Sequence, residues 1–363
     1  MTKLPIPDGP GALTPAWLTE ALRSTGAIAE QRVVDLESSS ISEGVGFLGR
    51  VARIALQYDR DDDGAPSSLI AKFPATEPTA KGIGVALRFY ENEIRVYGEV
   101  ARHVPLRMPK CYYSDMRLDT SEFILLIEDM APARIGDQIA GCSPADAAMI
   151  VPQLAAFHAR FWESPLLGQF DWMPYYNDPC HHHAQASYRQ AWPPFQKFVG
   201  ERLPAPVREA GERLNDQVVH LQDLLSEPPI TVMHGDFKLD NLLFPNGNAA
   251  GVGVLDWQIT SRGRGAFDLG YFFCTSLAPA DRAAHEERLI GVYLDALADA
   301  GVRGYGIDQC MRDYRLGVIF RMVYTVILIG SLAAGNERGL ALFNVLLERN
   351  CAAIIDLEAY KLV

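Results

Sequence analysis

The chain has 363 residues, 48% hydrophobic and 21% charged, the composition of an ordered globular protein large enough for two cores. Its 33 Lys and Arg against 45 Asp and Glu give a formal charge of −12, which excludes a broad basic face for nucleic acid. Six dispersed cysteines without a CxxC pair exclude a disulfide framework and suit reduced thiols in a cytoplasmic protein. No basic segment followed by an apolar run opens the chain, so no signal peptide is expected.

Taken in order, Thr14-Pro15 offers an N-cap followed by proline at the first helical position, predicting a short amphipathic helix through Leu22 that ends near Gly26. From Val33 to about Phe73 the period changes to two. Arg50 to Leu56 and Leu69 to Phe73 read as strands separated by the turn-rich Asp61-Asp62-Asp63-Gly64, an antiparallel sheet. Leu87 to Ala101 reads as a helix and Glu122 to Glu128 as a buried strand. After Ser143-Pro144 the pattern is mainly helical, interrupted by the short apolar segments Ile230 to Met233 and Val252 to Leu255. The apolar run Leu316 to Ala334 only just reaches the roughly 20 residues of a membrane span, and Arg321 interrupts it; a buried helix without membrane insertion is expected. The chain thus divides into a β-rich segment, residues 1–130, and a helical one, residues 131–363.

The chemistry concentrates in His234-Gly235-Asp236-Phe237-Lys238-Leu239-Asp240-Asn241, followed after a short hairpin by Val254-Leu255-Asp256-Trp257. HGDxxxxN with a later aspartate at a strand end resembles the catalytic and metal-binding loops of the aminoglycoside phosphotransferase and choline kinase families, distant relatives of protein kinases. The string from Leu255-Asp256-Trp257-Gln258 through Asp268-Leu269-Gly270-Tyr271-Phe272 is more similar still to the ecdysteroid-kinase-like branch, and the resemblance runs roughly from Ser38 to Ala334.

The resemblance implies an α+β, bilobal protein-kinase-like fold: a small antiparallel β-sheet lobe, a larger mostly helical lobe, and ATP between them. The activity implied is ATP- and Mg2+-dependent transfer of a phosphoryl group to a hydroxyl of a small molecule. Such transfer needs positioning and charge neutralisation more than covalent chemistry. Asp236 would accept or orient the proton of the attacking hydroxyl, and Asn241 and Asp256 would hold magnesium through oxygen, the ligand a hard cation prefers. Lys238 resembles the lysine aimed at the γ-phosphate. His234 and Asp268 would be structural, holding the catalytic loop.

Upstream, Gly44-Val45-Gly46-Phe47-Leu48-Gly49 spells G-x-G-x-x-G. A dinucleotide fingerprint would lead from strand into helix, whereas this loop leads into a strand, as a cover over phosphates does; Gly44 and Gly46 are the candidate contacts. Lys72 at the end of an apolar strand would meet the α- and β-phosphates, with Glu93 as its partner. The E-x-x-x-Y spacing of Glu93 and Tyr97 resembles the family's helix, and that resemblance selects Glu93 over Glu91. The resemblance implies that backbone groups near Glu128 and Met130 meet the adenine edge, and that Arg134 to Gln138 follows at the mouth of the cleft. Cys180-His181-His182-His183 lacks a second ligand pair and is not expected to bind metal. Trp162, Trp172, Tyr175, Tyr176, Tyr188 and Trp192 are read as packing groups in preference to a cage for a quaternary ammonium.

A protein substrate fits poorly, because only 12 positions separate Asp256 from Asp268 and no A-P-E follows. The alternatives are a nucleotide-binding pseudokinase or scaffold and, more remotely, an NAD-dependent oxidoreductase using the glycine loop. Aminoglycosides, choline-type alcohols, homoserine-like metabolites, sugars and steroid alcohols all remain open as acceptors. The acidic net charge mildly favours a neutral or cationic one.

Overall fold

The structure, a computed structural model, describes residues 4–41, 49–60, 64–245, 251–331 and 337–363. Two compact units emerge, one of Met1–Arg102 with Met108–Pro132, the other of His103–Arg107 with Ala133–Val363. The short excursion at 103–107 belongs to the second unit because Arg107 bridges Gly253 there and its carbonyl accepts from the Val254 N–H at 2.8 Å.

In the first unit, helix α1 (Pro15–Ser24) is capped by the Thr14 hydroxyl, which accepts from the Trp17 N–H. Strands β1 (Val33–Ser40), β2 (Gly49–Tyr58) and β3 (Ser68–Pro74) precede helices α2 (Pro78–Ala86) and α3 (Phe89–Arg95); strands β4 (Cys111–Arg117) and β5 (Glu122–Glu128) follow. The five strands form one antiparallel sheet in the order β1-β2-β3-β5-β4. Strand alternation divides its faces. Leu69, Ala71 and Phe73 point into a core with Leu18 and Leu22 of α1 and Ile54 of β2. Lys72, between Val51 and Leu125 in register, faces the other way. There Tyr90 of α3 packs on Phe123, with ring centroids 4.9 Å apart.

Two departures from the sequence reading occur beside this face. Helix α2 was missed because Gly82 and Gly84 depress its helical signal, although the Glu77 carboxylate caps it through the Thr79 and Ala80 N–H groups at 2.9 and 2.6 Å. The single helix expected over 87–101 is instead broken. Arg88 has φ 56°, α3 ends at Arg95, and Val96–Val100 widens into a π turn before a 3-10 turn at Ala101–His103.

The second unit adds β6 (Arg134–Ile135), helices α4 (Pro144–Phe161), α5 (His183–Val199) and α6 (Ala205–Leu225), and strands β7 (Thr231–Met233), β8 (Leu242–Phe244), β9 (Gly253–Val254) and β10 (Ser261–Gly263). It closes with α7 (Ala266–Ser276), α8 (Pro279–Asp299), α9 (Ile307–Ser331) and α10 (Glu337–Asp356). The short strands form a pair, β10-β7, and a triple, β6-β8-β9. A reciprocal capping box between Ser143 and Asp146 starts α4. Helix α9 is long and apolar enough to cross a membrane by length and composition alone, and 67% of its apolar window is buried within the fold. It packs against α5 and α7. The α7–α9 crossing is close: a Cβ on Gly270 would lie 2.7 Å from the Tyr314 carbonyl oxygen, and one on Gly317 2.9 Å from the Phe267 backbone. Only glycines permit that approach, which sets Tyr271 of α7 beside Arg321 of α9.

Candidate active site

The catalytic-loop segment leaves β7 and is fastened from behind before it reaches its functional groups. Asp268, fully buried on α7, accepts from the N–H of His234 at 2.7 Å through Oδ2 and from that of Gly235 at 2.9 Å through Oδ1. Its Oδ2 also meets Nε2 of His158 at 3.2 Å, and the Nδ1 of that ring lies 2.7 Å from the Tyr293 hydroxyl. Gly235 has φ 84°, and a Cβ there would stand 2.6 Å from the Ile259 carbonyl oxygen, so both conformation and space require glycine.

His234 fixes the other side of the loop. Its Nε2 donates to the Leu255 carbonyl at 2.9 Å while its Nδ1 accepts from the Asp236 N–H at 3.2 Å, which assigns the tautomer. The Leu255 N–H in turn donates to the Asn241 carbonyl at 2.9 Å, and the Trp257 ring packs 4.7 Å from the His234 ring. Asp256 is therefore held between two anchored neighbours, and it adopts the left-handed φ of 63°. The structural role expected for His234 and Asp268 corresponds to these bonds.

Three side chains converge on Asp236. Lys238 Nζ lies 2.7 Å from Oδ2, the Tyr271 hydroxyl donates to Oδ1 at 2.6 Å, and Asn241 Nδ2 donates to Oδ2 at 3.0 Å. Burial works against the charge of Asp236, but Lys238 and Tyr271 outweigh it and hold the carboxyl below its ordinary range. Burial likewise opposes the charge of Lys238, yet Asp236 and Asp256 raise its pKa overall. Tyr271 is pushed well above the usual phenol range by burial, with Asp236 adding to the shift against Arg321, so it stays a proton donor.

Asn241 spends both of its amide hydrogen bonds on Asp236, at the carbonyl (2.9 Å) and at Oδ2. That orientation leaves Oδ1 as its remaining ligand atom, and a hard cation takes oxygen. The Asp256 carboxylate would be the second oxygen ligand of the expected magnesium set, which substrate phosphates would complete. Among the described residues no group of three His, Cys, Asp or Glu side chains is placed to hold a metal. His181, His182 and His183 each engage a different backbone carbonyl, those of Tyr176, Asn177 and Cys180.

In the first unit, Lys72 Nζ meets Glu93 Oε1 at 2.5 Å, and the Glu93 side chain is 2% exposed. Glu91 instead pairs with Arg88 and Arg95, at 3.1 and 3.3 Å. Gly44 and Gly46 lie outside the described residues. The Glu128 N–H donates to the Lys110 carbonyl at 2.8 Å and is thereby engaged; Met130 lies two residues on, half-buried. Between them, Asp129 binds Arg53 at 2.6 Å and the Ser68 hydroxyl at 2.8 Å, tying the end of β5 to β2 and β3.

A model of the ecdysteroid kinase-like family matches residues 43–302, well over half of the sequence. The chain belongs to the ecdysteroid kinase-like family. Among solved structures, a candidate aminoglycoside phosphotransferase of Ralstonia eutropha is 17% identical, covering 94% of this chain and 98% of its own with TM-score 0.57. Amicoumacin kinase in complex with AMP-PNP, Ca2+ and its ligand is 10% identical (86% and 87% covered, TM-score 0.53). Choline kinase of Cryptosporidium parvum is 11% identical (89% and 91% covered, TM-score 0.52). At these identities the likeness establishes the fold, α+β and kinase-like, as expected from the motifs. A curated relative, acyl-CoA dehydrogenase family member 11 of Rattus norvegicus, is 30% identical over 115 residues; the match takes 28% of this chain and spans about 15% of that relative's length.

For this member of the ecdysteroid kinase-like family, sequence reasoning passed over several residues that the site uses. Tyr271 stood inside the quoted family string without a role; its spacing of three from Asp268 puts both on one side of α7. Asp240, within the HGDxxxxN motif, accepts from the Gln138 N–H at 2.8 Å and so ties Arg134 to Gln138, part of which is β6 beside β8, to the catalytic loop. Arg321 had been weighed only against a membrane span. Of the aromatic residues considered as a cage, Tyr188 stacks on Trp192, Trp162 meets Tyr305, Tyr175 carries Arg262, and Tyr176 packs on Phe267.

Proposed function

We propose that the protein transfers the γ-phosphoryl group of ATP to a hydroxyl of a small molecule, with magnesium. The family and its fold neighbours are small-molecule kinases and phosphotransferases, which supports the coarse reaction class. The observation that carries the finer reading is the Asp236 carboxylate, held by Lys238, Tyr271 and Asn241 at the head of a loop fastened by Asp268.

In this reading Asp236 orients the acceptor hydroxyl and takes its proton as the new oxygen–phosphorus bond forms and the bond from the γ-phosphorus to the bridging oxygen breaks, releasing ADP. A carboxylate held below its ordinary pKa is a weak base, which suffices because the transferred group is already loosely bonded in the transition state. Lys238 would shift its charge from Asp236 toward the transferring phosphoryl group. Asn241 and Asp256 would hold magnesium, which neutralises phosphate charge when bound. Lys72, braced by Glu93, would supply the cation for the α- and β-phosphates. The complex of amicoumacin kinase with AMP-PNP and Ca2+ supports a nucleoside triphosphate and a divalent cation as the reactants to test.

The test is ATP consumption with magnesium across a panel of hydroxyl compounds, beside Asp236→Ala. Stimulation by one chemical class, absent in the variant, is the expected result. Binding of ATP with no stimulated turnover favours a pseudokinase, and absence of ATP binding overturns the reading.

A further inference from the structure

Among the described residues Arg321 is a buried cation without an ion-pair partner. The residue is 3% exposed in α9; Nη1 donates to the Thr325 hydroxyl at 3.1 Å, the guanidinium lies 4.7 Å from the Tyr271 ring centroid, and Nε has no hydrogen-bond partner. Among the described residues no carboxylate lies within ion-pair distance of it. Arg262, Arg264 and Arg282 also leave Nε unbonded, but each of them, like Arg349, has a carboxylate or carbonyl acceptor, whereas Arg321 has only a hydroxyl. Arg264 meets Asp313 and Glu227, Arg282 meets Glu286 and Asp356, Arg349 donates to the carbonyls of Gln138, Thr275 and Ile139, and Arg262 donates to that of Phe170. A buried cation lacking its anion costs several kcal/mol. A neutral hydroxyl and one ring face offset little of that, so retaining Arg321 makes sense if an anion arrives from outside.

Its position says which molecule would bring the anion. Tyr271 spans the interval, with its ring under Arg321 and its hydroxyl on Asp236. One turn along α9, half-buried Tyr324 bonds the Tyr176 hydroxyl at 2.6 Å and adds a wall of phenols to the same neighbourhood. Lys238 also lies within electrostatic reach of Arg321. An acceptor whose hydroxyl sits on Asp236 would therefore extend alongside Tyr271 to the guanidinium.

We propose that Arg321 recognises a carboxylate on the phosphate acceptor, which makes the acceptor a hydroxy acid whose carboxylate and reacting hydroxyl are separated by about the span of one tyrosine side chain. The inference rests on the phosphotransferase reading above and narrows its acceptor. A guanidinium fork suits a planar carboxylate. It reverses the mild expectation from net charge: surface charges are screened over about 8 Å at physiological ionic strength, whereas Arg321 is buried beside the reacting groups.

The experiment compares wild type, Arg321→Lys and Arg321→Gln on a panel of hydroxy acids of graded length, each beside its own carboxamide, with MgATP affinity measured separately. Wild type should prefer acid to amide by roughly 10- to 100-fold in kcat/KM, the range of a charged hydrogen-bonded contact. Arg321→Gln should abolish the preference through KM for the acid, Arg321→Lys should keep part of it, and MgATP affinity should hold in both. Equal use of acid and amide by wild type overturns the proposal even if the glutamine variant fails to fold. So does turnover of neutral alcohols that matches turnover of the acids in wild type, or failure of every acid while MgATP still binds. Failure of wild type to bind MgATP removes the phosphotransferase reading itself, and with it this narrowing of the acceptor.

Discussion

The phenol of Tyr271 donates to Oδ1 of Asp236 at 2.6 Å, opposite the Lys238 ammonium on Oδ2. The two donors together hold a half-buried carboxyl below its ordinary pKa against the pull of desolvation. Removing the phenol oxygen in Tyr271→Phe weakens that hold, so the Asp236 pKa rises. Activity that needs the carboxylate is then lost at a higher pH on the acid side. The acid limb of kcat/KM should move upward in Tyr271→Phe, with kcat at neutral pH falling about tenfold, the low side of what positioned proton-transfer groups contribute. An unmoved acid limb would show that Tyr271 only packs.

Asp236 and Asp256 should separate by readout. In the proposed reaction Asp236 is the group facing the acceptor, so Asp236→Ala should lower kcat by about 10² to 10⁴ while leaving MgATP affinity within a few-fold. In the same proposal Asp256 is a magnesium ligand, so Asp256→Ala should weaken nucleotide binding in a magnesium-dependent way. Titration of each variant with ATP at several magnesium concentrations distinguishes them; identical magnesium dependence in the two variants would refute the division of roles.

How much of this could be read beforehand varied with the kind of signal. Helix α1, strand β5 and the start of α4 announce themselves locally through Thr14-Pro15, the apolar run from Phe123, and Ser143-Pro144. The pairing of Lys72 with Glu93 followed from the resemblance of a strand-end lysine and of the E-x-x-x-Y helix to those of kinases. Helix α2 was hidden because its stability comes from the Glu77 cap and tertiary packing, not from propensity. The break at Arg88 has no local glycine or proline to mark it. Arg321 and Tyr271 are 50 positions apart in sequence, and the glycine-mediated crossing that joins them is a tertiary event. No periodicity within one segment encodes such a meeting.

The Lys72–Glu93 pair makes a prediction about stability as well as binding. Glu93 is nearly inaccessible, so Lys72→Met leaves a buried carboxylate without its cation, a change that costs about 3–5 kcal/mol in comparable pairs. Lys72→Met with Glu93→Gln should recover much of that stability without recovering nucleotide affinity. Hydrogen exchange of α3 and β3 in the three variants measures the first, and nucleotide titration the second. Full affinity in the double variant would dissociate the pair from phosphate binding.

Asp268 offers a test of loop fastening at a site away from the acceptor. Its two oxygens accept from two consecutive backbone N–H groups and from His158, all without solvent access. Asp268→Asn turns one acceptor into a donor facing an N–H group, leaving a buried donor unsatisfied at about 1–3 kcal/mol. The loop should loosen, so the amides of His234 and Gly235 should exchange hydrogen faster while those of α8 keep their protection. Because Asp236 then loses its fixed position, kcat should fall by at least about tenfold, with little change in MgATP affinity. If those amides exchange as slowly as in wild type while activity is lost, Asp268 acts on the reactants and not through the loop.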